Sequence, residues 1–425
     1  MSAIRTILRP VGRRVRIVAA QTCWEPSLSQ ISTRAVCTST STNTQQDHCA
    51  NATSNGTWQS AIRRQHSTMT PFYSSRCRIG ATSMERRHFS SPSSQTKLAY
   101  EWIVDGKVVP QSKMEGVTAG EDGKEIIVFL HGLLGNAKNL RTPAKKLTQQ
   151  LPHYHALLLD IRGHGNSSSS NTPHSQPHNF ESCVQDIFDT LAPLGLIGSR
   201  SPTAICGHSL GGRIALQYSH FLCTTAAAAS NRHQSQQQSS SIIEPPKQTW
   251  VLDSVPGRAD PSVHGVLRAI SSLPTPIPSK SWVVDTLIKE HKMNKAIAMW
   301  IATNLRESSD SFEWIFDLGI ANELVENFTD QNIPQMIHDV TVMENEEDGS
   351  QFSSVQLVMA GKNNSWTDGV VEELQSIPSF RKRSSSLPSK VSLFDMHTLE
   401  KAGHWVHVDD LDGLLSLMVG GLQRR

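Results

Sequence analysis

Ala204-Ile205-Cys206-Gly207-His208-Ser209-Leu210-Gly211-Gly212 reads as the end of a buried strand, a serine between glycines and the start of a helix. The bare pattern G-x-S-x-G is weak, because glycine and serine are common residues. Its placement is what carries weight. A serine at a strand–helix turn is held in strained backbone geometry, with its hydroxyl clear of the sheet. Gly207 and Gly211 let the chain pack tightly there. A neutral serine is a poor nucleophile and needs an adjacent base. The following helix points its N-terminus at developing negative charge.

Outward from this turn, strand and helix patterns alternate. A hairpin is expected at Leu98–Val104 and Lys107–Val109, with its turn at Asp105-Gly106. Short apolar runs follow at Glu125–Leu130, His155–Asp160, Thr203–Cys206, Thr249–Asp253, Val355–Ala360 and Val391–Met396. Helical spacing lies between them, most plainly in Phe180, Cys183, Val184, Ile187, Phe188 and Leu191. Other helices are expected at Ala137–Leu151, Leu210–Cys223 and Val408–Val419. The pattern predicts an α/β fold: a mostly parallel sheet of eight strands with helices on both faces. Between Asp253 and Val355 the strand signal fades, and stretches carrying Trp282, Trp300 and Trp314 predict a helical cap at about 256–340. Segments 166–178, 224–248 and 381–390 are too polar to order themselves and are expected to be surface loops.

The base belongs after the last strand. Ala402-Gly403-His404-Trp405 supplies His404, with Gly403 permitting a tight loop; His407 has no glycine before it. His208 is expected to point away from its neighbour Ser209, and His131 and His164 to support loops. The carboxylate has three candidates. Asp253 ends a strand at the edge of the sheet where ligands collect. Asp368 follows the next strand, and Asp317 is a third. Whichever serves must sit near the imidazole N–H to fix its tautomer and stabilise the imidazolium. Two backbone N–H groups are expected to hold an oxyanion, those of Leu210 and of Leu133 in His131-Gly132-Leu133-Leu134-Gly135.

Composition removes several other classes. The 425 residues carry a net charge of +2. Residues 1–95 hold twelve Arg, no Lys and three acids, so the remainder is net acidic. A nucleic-acid binder would keep its positive charge on the folded part. No apolar run reaches the ~20 residues that span a bilayer. The seven Cys form no CxxC pair, and no helical HxxxH pair suggests a metal. No cofactor is expected. The leader at residues 1–95 has the Arg- and Ser-rich, acid-poor makeup of an organelle transit peptide. Ile4, Ile7, Leu8, Val11, Val15 and Val18 form one stripe opposite Arg5, Arg9, Arg13 and Arg16. Arg87-His88-Phe89-Ser90-Ser91 resembles a mitochondrial processing site cut before Ser90. The expected destination is the mitochondrion, with the plastid as alternative. The folded region is expected at 96–425.

The set HGLLG, DIRGHGNS, GHSLGG, LDSVPG and AGHWVH resembles the α/β-hydrolase superfamily over essentially all of residues 98–423. Within it, the motifs are most similar to mitochondrial α/β-hydrolase domain-containing proteins and related bacterial short-chain acyl esterases. The resemblance implies Ser209 as nucleophile, His404 as base and Asp253 as acid. It also matches Ser365 to a serine that lies near the histidine in some bacterial members. Leu134 stands where relatives have an aromatic residue, and Asp317 where they tend to have Asn. The implied activity is cleavage of a small acyl ester or thioester. The superfamily also includes alcohol acyltransferases with the same triad. A third reading is a retained fold serving only as a binding partner in an organelle matrix. Oligomeric state is open at this level.

Overall fold

In the computed structural model the described residues are 97–423, less 112–113, 115–122, 169–172, 231–243, 343–352, 379 and 382–390. The expected transit peptide at 1–95 therefore lies outside the described residues, as do most of 224–248 and nearly all of 381–390.

The strands are β1 (Tyr100–Val104), β2 (Lys107–Val109), β3 (Glu125–Leu130), β4 (Tyr154–Leu159), β5 (Ala204–His208), β6 (Gln248–Leu252), β7 (Leu305–Ser308), β8 (Ser311–Trp314), β9 (Ser354–Ala360), β10 (Phe380–Arg381), β11 (Val391–Ser392) and β12 (Phe394–Leu399). Eight form one sheet in the order β12-β9-β6-β5-β3-β4-β1-β2. Every pairing from β12 to β4 is parallel, and the β1–β2 hairpin joins β4 antiparallel.

Residues alternate between the two faces of this sheet, as strand pleating demands. Ile126, Val128, Leu130, Leu157, Leu159 and Ile205 enter one core. Ile127, Phe129, Ala156, Leu158, Ala204 and Cys206 enter the other. Burial on both faces explains why these strands read as unbroken apolar runs. The first core is covered by α2 (Phe180–Leu191) and α3 (Leu210–Ser230), the second by α1 (Arg141–Gln150) and α11 (Leu411–Gln423). Each fully buried Leu, Ile or Phe contributes roughly 1.5–3 kcal/mol. α2 starts where Asn179 accepts a hydrogen bond from the Ser182 amide at 2.9 Å.

Between β6 and β9 lie α4 (Pro261–Ser271), α5 (Lys280–Lys289), α6 (Lys295–Ala302), the β7–β8 hairpin, α7 (Leu318–Glu326) and α8 (Ile333–Val342). The hairpin departs from the all-helical expectation. Leu305 and Phe312 are separated by a polar Arg306–Ser311 stretch whose alternation is too short to register, yet Leu305 pairs with Trp314 and Glu307 with Phe312. Apolar residues of this insertion, among them Leu267, Val283, Leu287, Ile301 and Leu324, join the first core.

The last sheet strand also differs. It begins at Phe394, not Val391, because the register Phe394–Val355 through Leu399–Ala360 places it beside β9, while Val391–Ser392 pairs with β10 instead. The C-terminal helical region divides into α10 (Val406–Asp409) and α11. Helix α3 runs past its expected end at Cys223. Part of segment 166–178 is tied down. The Arg162 guanidinium donates to the carbonyls of Ser175 and Pro177 and makes a buried bidentate pair with Asp186. After α9 (Asp368–Gln375) the chain returns to the sheet edge.

Candidate active site

Ser209 stands one residue beyond β5 with φ of +53°, a left-handed conformation uncommon for a residue with a side chain. Three hydrogen bonds hold its carbonyl there: from the Gly212 and Arg213 amides at 2.9 and 3.2 Å, and from Ser254 Oγ at 2.7 Å. Its own N–H donates to Leu252 O at 2.8 Å, prolonging the β5–β6 ladder by one rung. The glycines are steric necessities. A Cβ on Gly207 would collide with the Gly211 backbone, and one on Gly211 would sit 2.5 Å from His131 O.

His404 lies on the loop after β12. Its Nδ1–H donates to Asp253 Oδ2 at 2.7 Å, a contact between residues 151 apart in sequence. That bond leaves Nε2 as the free lone pair of the neutral ring. Asp253 follows β6 as Ser209 follows β5: its φ is +47° and its N–H donates to Val358 O at 2.8 Å. The carboxylate is buried and fully satisfied. Oδ1 accepts from the Ala360 amide at 2.9 Å and Trp366 Nε1 at 2.6 Å; Oδ2 also accepts from Asn363 Nδ2 at 2.7 Å. Four donors thus hold the buried carboxylate in one orientation. No hydrogen bond joins the Ser209 hydroxyl to His404 among the described residues. Their loops are joined indirectly: the side chain of His208, the neighbour of Ser209, donates from Nε2 to the His404 carbonyl at 2.7 Å.

The loop from His131 to Gly135 passes over the elbow. A Cβ on Gly132 would lie 3.4 Å from Ser209 Cβ and 3.0 Å from His208 Nδ1. Leu134 is buried at φ +56°. Neither the Leu133 nor the Leu210 N–H has a backbone acceptor among the described residues. For Leu210 this is the ordinary state of a first-turn amide. His131 braces the loop: its Nδ1–H donates to Gly132 O at 2.8 Å and its Nε2 accepts from the Ile161 amide at 3.0 Å. Burial pushes its pKa down to about 4. Asp160 accepts from the Ala137 and Asn166 amides, binding the turn after β4 to the turn after β3.

The other sequence candidates stand elsewhere. Asp368 is exposed in the first turn of α9, whose cap is Thr367. Asp317 caps α7 by accepting from the Ile320 amide at 3.1 Å. Ser365 Oγ donates to Asp260 Oδ2 at 3.2 Å, within the same loop that supplies Asn363 and Trp366. Those last two residues were not singled out from sequence; no local pattern marks a side chain that donates to a carboxylate 110 residues away. Trp300 of α6 lies 5.7 Å from Trp405, ring to ring, beside His404. Among the described residues there is no group of three His, Cys, Asp or Glu side chains able to hold a metal ion, and no helix long and apolar enough to cross a membrane.

Comparison with known proteins agrees with this architecture. Residues 127–416 match the model of the alpha/beta hydrolase family. The chain is 25% identical over 293 residues to the sn-1-specific diacylglycerol lipase ABHD11 of Mus musculus, covering 67% of this chain and 76% of that protein. It is 37% identical over 106 residues to a probable alcohol acetyltransferase of Saccharomyces cerevisiae, covering 24% of this chain and 29% of that protein, under a third of its length. Among solved structures, a marine microorganism esterase superimposes with a TM-score of 0.50 at 17% identity, over 76% of this chain and 99% of that one.

Proposed function

We propose that this chain, which belongs to the alpha/beta hydrolase family, is a serine hydrolase that cleaves a small acyl ester or thioester through an acyl-enzyme. The observation that carries this reading is the 2.7 Å bond from His404 Nδ1 to the buried Asp253, on the same sheet edge as the Ser209 elbow. With Nδ1–H engaged, Nε2 is left to take the hydroxyl proton as Ser209 Oγ attacks the acyl carbonyl. The Leu133 and Leu210 amides are the donors for the oxyanion, a contribution of about 3 kcal/mol each. The imidazolium then protonates the departing alkoxide or thiolate. Water, losing its proton to the same Nε2, hydrolyses the acyl-enzyme and restores the serine. Asp253 orients the ring throughout, held in place by Trp366, Asn363 and the Ala360 amide. The insertion at 256–340, which brings Trp300 beside Trp405, is the candidate cap over the acyl pocket.

The test is labelling with a fluorophosphonate together with turnover of p-nitrophenyl esters of graded acyl length. Wild-type protein should be labelled and turn over. Ser209→Ala should show neither, and unchanged labelling in that variant refutes the reading. A second reading is favoured by one observation: the 37% identity over 106 residues with a probable alcohol acetyltransferase. In that case an alcohol replaces water in the second step. An activated acetyl donor supplied with ethanol separates the two by the ratio of ethyl ester to free acid. The leader at 1–95 fits delivery to the mitochondrion, checked by the location of a fluorescent fusion carrying it.

A further inference from the structure

Three loops of the proposed site meet on one imidazole. His208 is the last residue of β5 and the covalent neighbour of Ser209, and its side chain is buried. Its Nε2–H donates to the carbonyl of His404 at 2.7 Å. The carbonyl can only accept, so the proton on Nε2 is assigned by its partner. The His404 ring lies 4.8 Å away, and His407 meets the same ring edge-on at 4.6 Å. On the opposite side, a Cβ on Gly132 of the oxyanion loop would come within 3.0 Å of His208 Nδ1.

We infer that His208 is a positioning residue, whose bond to the His404 carbonyl fixes the distance of the base loop from the nucleophile to which His208 is directly joined. This deepens, and rests on, the reading of Ser209 and His404 as nucleophile and base. Other bonds of the base loop reach different supports: the Gly403 amide donates to Asp409, the Ala402 carbonyl accepts from the Lys362 amide, and the His404 ring donates to Asp253 beyond β6. None of these ties that loop to β5. The His208 bond does so across 196 residues of sequence. A base displaced by about 1 Å loses on the order of 100-fold in rate. The ring also stays uncharged. Burial, reinforced by His407 and His404, holds its pKa well below the usual imidazole range. A neutral donor suits this place, since a cation here would oppose the imidazolium that forms at His404.

The experiment compares His208→Leu, which fills similar space without a donor, with His208→Gln, whose amide nitrogen reaches about as far as Nε2. Turnover of a p-nitrophenyl ester, the rate of fluorophosphonate labelling and the thermal midpoint are measured on each full chain. In His208→Leu, kcat should fall about 10- to 100-fold with KM within about twofold, and labelling should slow in parallel. His208→Gln should recover most of both. If His208→Leu does not fold, His208→Asn takes its place: its amide falls short of the carbonyl, so it should be slow where His208→Gln is fast. Wild-type kcat in the donorless variant, or equal slowing in both variants at equal thermal midpoints, overturns the inference and leaves the ring as filler. Ser209→Ala, run in parallel, separates the two claims. If it is inactive while His208→Leu is fully active, only the positioning role is lost. If Ser209→Ala still turns over, the nucleophile reading itself is lost.

Discussion

Acid should unfold this domain through imidazoles that have no place for a proton. His131, His164 and His407 are buried, and burial is the largest cause pushing their pKa values down to about 4, about 3 and about 4, against 6.5 when unfolded. His208 is shifted in the same direction. The sign follows from which state binds protons. Below 6.5 the unfolded chain takes them up while the folded chain does not, so stability present above that value is lost as pH falls toward the folded values. Between about pH 7.5 and about pH 5.5 each of the three costs about 1.4 kcal/mol, roughly 4 kcal/mol together. That is a large part of the 5–15 kcal/mol typical of a domain. The buried carboxylates of Asp160 and Asp186, pushed up by burial, act in the opposite sense and blunt the loss at the lower end. Guanidinium unfolding followed by tryptophan fluorescence at stepped pH measures the slope. His164→Asn is the informative variant. His164 Nδ1 donates to Arg162 O at 2.9 Å, a bond an asparagine amide can make, while its Nε2 has no partner among the described residues. The variant should fold at neutral pH and lose about 1.4 kcal/mol of the total fall across these two pH units, its slope differing from wild type by nearly one proton only toward pH 5.5. Stability flat to within about 1 kcal/mol over this range in the wild type, or an unchanged slope in His164→Asn, refutes the reasoning.

Three further outcomes follow from the site. Asp253→Asn places an amide against the Asn363 and His404 donors, forcing the wrong imidazole tautomer; kcat should fall on the order of 10⁴-fold with folding retained, read by ester turnover and circular dichroism. Trp366→Phe keeps the ring but removes the 2.6 Å bond to Asp253 Oδ1; a hydrogen bond to a charged group is worth about 1.5–3 kcal/mol, so stability should fall by an amount of that order in denaturant titration, with a smaller loss of kcat. Gly211→Ala drives a methyl into the backbone of Leu130 and His131 and should cost about 1–3 kcal/mol or more, seen as reduced soluble yield and a lower thermal midpoint.

What could be read from the sequence divides along a physical line. β3, β5, β6 and β9 were legible to within two residues because both faces are buried and their runs are continuously apolar. The elbow was legible because its glycines are required by the clash each would otherwise make. The last strand was misplaced because its residues Asp395, His397 and Thr398 are polar at the sheet edge, so the apolar signal drew its start back to Val391. Chain order left three carboxylates as candidates, with Asp253 favoured, and the fold brings Asp253 to His404 while Asp317 and Asp368 sit at helix N-termini. The donors Asn363 and Trp366, and the inward turn of His208 toward His404, depend on contacts more than 100 residues apart, which local spacing cannot encode.

Ser209 and Asp253 are built alike: each stands one step past a parallel strand, its amide on the neighbouring strand and its backbone turned left-handed. The gap between their anchor points is therefore one interstrand spacing, about 4.8 Å, which the sheet cannot stretch. Loops and insertions around this rim are free to drift in length and shape, and so to select new acyl groups, while the ladder acts as a fixed ruler beneath them. Redesign for a different substrate should accordingly leave β5, β6 and β9 untouched and spend all its changes on the segments that rise above them.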